Sequence, residues 1–153
     1  MTAPNHAITG ALIGLSLSGN PVLVVALSFL SHFVLDAVPH YDPPGDELAR
    51  LTSRRFSVEL YVQALLCAVI VVLLASSRHA HWLLAAICAF VATSPDLLWI
   101  PKFLSVRRTH RLPSKPNWFW RLHHTIQWYT GSRLLWIEAV WFVLSGSWLL
   151  AIL

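Results

Sequence analysis

The chain has 153 residues, 56% of them hydrophobic and 12% charged, with a formal net charge of +4. Soluble domains average about 25% charged residues, so this composition points to lipid as the solvent and excludes an ordinary water-soluble domain. Cys67 and Cys88 lie in the middle of apolar runs; they read as small buried hydrophobes and exclude a disulfide framework or a cysteine zinc motif.

Residues 1–7 hold no Lys or Arg, so no secretory signal peptide is expected and the segment is taken to stay in the mature protein. The first apolar stretch, residues 7–18, reaches only about 18 Å as a helix, short of the roughly 30 Å hydrocarbon core. It is expected to tilt, to thin the bilayer or to enter it in part. Four further stretches, residues 21–38, 58–75, 81–100 and 133–153, approach or reach the length of a spanning helix. The turn Ser18-Gly19-Asn20-Pro21 reverses the chain between the first two. The long connector, residues 101–132, contains an aromatic and basic run from Asn117 to Tyr129, read as an interfacial helix because Trp and Tyr prefer headgroup depth. The expected fold is all-α: one membrane-embedded domain over residues 1–153, polytopic, with four to five transmembrane or membrane-embedded helices plus the interfacial helix.

Lys and Arg in short loops accumulate on the cytoplasmic side. Ten of the eleven basic residues fall in the connectors 40–57 and 101–132 or at their edges, leaving only Arg78 in the opposite turn. Both connectors are therefore assigned to the cytoplasm, and the protein to the plasma (inner) membrane as a multi-pass protein. The basic residues read as topogenic and anionic-lipid contacts, and no nucleic-acid partner is expected.

That orientation gathers six of the eight histidines and both intramembrane aspartates on one face. His32 and Asp36 are four apart, hence on one helix face, and Pro39 ends the helix so that His40 bends back toward the same point. Imidazole and carboxylate at this spacing suit a divalent transition metal. In the first segment His6, Gly10, Gly14 and Ser18 form a stripe of mostly small residues that admits a close neighbour. The expected neighbour is the second segment's Ser28, His32 and Asp36, which brings His6 to the same place. The fourth segment carries Ala85, Ala89, Ala92 and Asp96 on one face, and Ser94-Pro95-Asp96 reads as a helix restart beside a cavity. In the connector, His123 shares a face with Gln127, while His124 points about 100° away, so one of the two is the expected ligand and the other an outer or substrate contact. Glu59 reads as an interfacial partner of Arg54 or Arg55; Glu138 is either a buried hydrogen-bonded residue or an outer member of the site.

The candidate metal ligands are thus His6, His32, Asp36, Asp96, His123 and His124, for zinc, manganese or iron. Asp36 and His40 are the candidate catalytic bases, accepting a proton from metal-activated water. Membrane lipids are the expected partners and a phosphoester or lipid-like molecule the expected substrate, with Arg54, Arg55, Arg107 or Arg108 neutralising phosphate. The rival is a non-enzymatic metal-binding or ion-handling membrane protein. The apolar outer halves of the segments speak against a conducting path.

Asn5-His6 with Gly10 and Gly14, Ser31-His32 through Asp36 to Pro39-His40, Ser94-Pro95-Asp96, and His123-His124 followed by Gln127 together resemble the predicted membrane-bound metal-dependent hydrolases, the YdjM-like group. The resemblance spans most of the chain and implies a small multi-helix membrane protein with His and Asp ligands at helix ends. Longer members carry a His-Arg-x-x-Thr-His element, of which only Arg108-Thr109-His110 has a counterpart here, leaving His110 and a second metal unassigned.

Overall fold

Helix ends in this chain are marked by cap residues and prolines. The computed structural model, which describes residues 1–17, 19–43, 46–113 and 118–153, follows those marks. Helix α1 (Ala3–Ser16) has Pro4 in its first turn, and the amides ahead of it are satisfied from distant side chains: Thr2 N–H donates to Glu138 and Ala3 N–H to Gln63, each at 3.0 Å. Helix α2 (Pro21–Ala37) is capped by Asn20, which accepts from Val22 N–H at 2.9 Å. Asp46 and Ser53 cap α3 (Glu47–Thr52) and α4 (Arg54–Ser76). The chain continues through α5 (Trp82–Leu97), α6 (Ile100–Thr109), α7 (Trp118–Ile126), a 3-10 turn at Ser132–Leu134 and α8 (Leu135–Ile152). All regular structure among the described residues is helical; one isolated bridge pairs His40 with Thr130.

Among the described residues, three runs are long and apolar enough to cross a membrane: Arg54–Ser76, Trp82–Thr109 and Ser132–Ile152. Their outward faces are lined with exposed Leu65, Val72, Phe90, Leu144 and Leu150. So much exposed hydrocarbon fits a lipid surround rather than water.

α1 lies at the centre. Ten of its 14 residues are buried, against α2, α4, α5 and α8. The stripe of small residues does admit a close neighbour, but the neighbour differs from the expected one. A Cβ on Gly10 would strike the Cys88 carbonyl oxygen and lie 2.8 Å from Ala92 Cβ; one on Gly14 would lie 2.6 Å from Ala85 Cα. The stripe is thus pressed on the small-residue face of α5, because two faces without bulk approach more closely than Gly against the larger side chains of α2. Ser18 lies outside the described residues.

The helix restart expected at Ser94-Pro95-Asp96 is also corrected. α5 runs through Pro95 to Leu97 and bends only at Leu98 and Trp99, before α6. Pro95 lacks the N–H that would serve the Val91 carbonyl, and the Ser94 hydroxyl donates to that oxygen instead at 2.8 Å. With the orphan carbonyl satisfied, the helix continues.

Candidate metal centre

α2 ends at a point where four elements converge. His32 and Asp36, one turn apart and fully buried, face α5 and α1. The Ala92 carbonyl can only accept, so His32 donates to it through Nδ1–H at 2.8 Å, which turns its Nε2 toward the cluster. Fixing a histidine's outer nitrogen on a carbonyl is the usual way to orient a metal ligand. His32 Nε2 then lies 3.3 Å from Asp36 Oδ2 and 3.8 Å from Asp96 Oδ1. α7 delivers His123, whose Nε2 is 2.7 Å from Asp36 Oδ2, 3.2 Å from His32 Nε2 and 3.9 Å from Asp96 Oδ1.

One donor atom from each of His32, Asp36, Asp96 and His123 fits within 4.8 Å of all the others, a buried His/Asp group that could hold a metal ion. A tetrahedral ion with bonds of about 2.1 Å separates its donor atoms by roughly 3.4 Å. The separations above, from 2.7 to 3.9 Å, straddle that value.

His6 joins from α1. Its ring stacks on His32 at 4.1 Å between centroids, and its Nε2 stands 3.2 Å from Asp36 Oδ1, yet neither ring nitrogen makes a hydrogen bond although the side chain is wholly buried. The Met1 ammonium pairs with the same Asp36 oxygen. Gln127 donates to Asp36 Oδ2 at 3.0 Å. Glu138, left open between two roles in the sequence, is buried and accepts from Thr2 N–H, the Thr2 hydroxyl at 2.9 Å and Asn5 Nδ2 at 2.6 Å. It holds the start of α1, and with it His6, in place.

A cavity of about 160 Å³ borders the cluster; Asp96, His123, His124, Gln127 and His40 are in its wall. Asp96 is the partly open member of the cluster, 31% exposed, whereas Asp36 and His32 do not line the cavity. His124 is exposed on the cavity side of α7 and stands apart from the four-residue cluster. His40 is buried, donates through Nδ1–H to the Val38 carbonyl at 2.8 Å and so keeps its Nε2 lone pair. Its backbone is tied to residues 129–131 on both sides. Burial, with the Met1 ammonium acting the same way, holds its imidazole below the ordinary value and favours the neutral form. His110 is exposed in a left-handed C-cap of α6, away from the cluster.

The cations beside the cavity are Arg50 and Lys102, paired with Asp42 and Glu47, in place of the expected Arg54, Arg55, Arg107 and Arg108. Arg55 instead pairs with Glu59 at 3.0 Å, and Arg107 reaches the Ser57 hydroxyl. Arg50 and Lys102 carried no distinguishing sequence signal, since α3 and α6, which present them, have no apolar run to announce them.

No family model matches the chain, and neither a curated protein nor a solved structure is similar to it.

Proposed function

We propose that this protein is a polytopic membrane-bound, metal-dependent hydrolase whose His/Asp centre opens at headgroup depth on the cytoplasmic side, acting on a phosphoester or lipid-like substrate. The observation that carries the reading is the convergence of His32 Nε2, His123 Nε2 and oxygens of Asp36 and Asp96 beside a cavity. The motif resemblance to membrane-bound metal-dependent hydrolases points the same way. The cytoplasmic assignment rests on the basic residues: the centre sits at the Arg54 end of α4, and Arg78 lies beyond its other end, roughly 35 Å away.

In this reading His32, Asp36, Asp96 and His123 hold a zinc, manganese or iron ion, and His6 adds a further donor. A bound divalent ion supplies acidified water and a polarised scissile bond. The remaining chemistry belongs to the chain. Asp36, engaged by His6, His32, His123 and Gln127, is committed to holding the centre. His40, neutral and with Nε2 unprotonated in the cavity wall, accepts the proton from the attacking water. Arg50 and Lys102 orient an anionic group at the mouth.

A non-enzymatic metal-binding role is the second reading, favoured by one observation: His32 and Asp36 are sealed from the cavity. Elemental analysis by mass spectrometry of detergent-purified wild type beside Asp36→Asn and His32→Ala tests the centre. Near-stoichiometric metal in wild type, lost in both variants, is expected. Metal-free wild type that also fails to load on reconstitution would sink the proposal. A wild type that binds metal but turns over no phosphoester or lipid ester would leave the second reading.

A further inference from the structure

α7 divides its surface three ways. Phe119, His123 and Gln127 face the centre: the Phe119 ring stacks on His123 at 6.0 Å and Gln127 reaches Asp36. Trp120 and His124 line the cavity. Trp118, Arg121, Leu122 and Thr125 complete the circuit and are exposed, Trp118 at 75% and Leu122 at 46%. A nine-residue helix is marginal by itself, and α7 rests chiefly on α2. One donor of the centre, His123, therefore rides on a short helix whose outer side chains are exposed.

We propose that the outer face of α7 is a docking surface for the phospholipid headgroup layer, and that docking holds His123 and Gln127 in the centre, coupling metal affinity to membrane contact. The proposal rests on the metal reading above. The occupant follows from the position of α7 between two runs apolar enough to cross a membrane, Trp82–Thr109 and Ser132–Ile152. Five residues lie between Ile126 and Ser132, at most about 20 Å of chain, so α7 stays at the surface from which the last run departs. Trp118 and the exposed Trp128 and Tyr129 have the amphipathic rings that settle at headgroup depth, and the exposed Arg108, Arg111, Arg121 and Arg133 match anionic phosphates. Linkage makes the coupling reciprocal: whatever factor docking adds to metal affinity, metal adds to docking.

The test uses the full chain in nanodiscs of phosphatidylcholine with phosphatidylglycerol. Zinc affinity is measured by chelator competition for wild type, Leu122→Glu and Thr125→Leu, with helicity and gel-filtration profile checked for each. About tenfold weaker zinc binding is expected for Leu122→Glu, and unchanged or tighter binding for Thr125→Leu. Equal zinc affinity in all three overturns the coupling alone, whereas a wild type that binds no zinc or other transition metal overturns the metal reading beneath it. A nitroxide at Thr125→Cys, in a Cys67→Ala background, reads depth independently. Greater access to oxygen than to chromium oxalate is expected. The reverse, or shielding from both as in a protein contact, overturns lipid docking.

Discussion

His123 and His124 are chemically identical neighbours whose fates part on one step of helix rotation. His123, four residues before Gln127, turns inward to Asp36 and Asp96; His124 turns into the cavity wall. If the centre holds the proposed metal, His123→Ala should lose most of it, while His124→Ala should retain it. Elemental analysis of the two purified variants checks this, and equal metal loss in both would contradict the geometry. The sequence names the pair, because spacing groups His123 with Gln127, but it does not choose between them. The choice depends on which side of α7 meets α2, and that is a tertiary contact. Asp36 was readable for a different reason: a carboxylate inside an apolar segment demands compensation, and here His6, His32, His123, Gln127 and the Met1 ammonium surround it.

Among elements, the packing of α1 on α5 sets how closely the centre can close. Gly10 meets backbone rather than the flexible end of a side chain, so an added methyl forces the helices apart. Gly10→Ala should destabilise the fold by about 1–3 kcal/mol, whereas Gly19→Ala, which meets nothing within 4 Å, should leave it within a few tenths. Thermal unfolding midpoints in one detergent compare them; equal midpoints would refute the close-packing account. Small residues at helical spacing announce a tight interface, yet nothing in them says whose. Chain proximity favoured α2, while the matching absence of bulk lay on α5, at Ala85, Cys88 and Ala92. Pro95 misled for a comparable reason: a proline marks a break unless a neighbouring hydroxyl satisfies the freed carbonyl, as Ser94 does.

For the whole molecule, the runs apolar enough to cross a membrane were plain from their length, while α3 and α6 were not. α6 has Pro101 in its first turn and holds Lys102, Arg107 and Arg108, so it reads as loop, although proline in a first turn is a helix start. The resulting distribution places Arg78 at one pole and Arg50 and Lys102 beside the centre at the other. Single cysteines at His79 and Thr109 should accordingly be labelled by a membrane-impermeant maleimide from opposite sides of the cell membrane, His79→Cys in intact cells and Thr109→Cys only after permeabilisation. Labelling of both in intact cells would overturn the orientation.

The central position of α1 also bears on the order of assembly. Helix α1 is about 21 Å long and finds its neighbours on α2, α4, α5 and α8, all of them later in the chain. Its main neighbour, α5, follows α2 and α4 in the chain, so α1 waits for α5 before its place is settled. His6 is held beside Asp36 once α5 has taken up α1, and a nascent chain arrested before α7 would lack His123 and hold an incomplete His/Asp group.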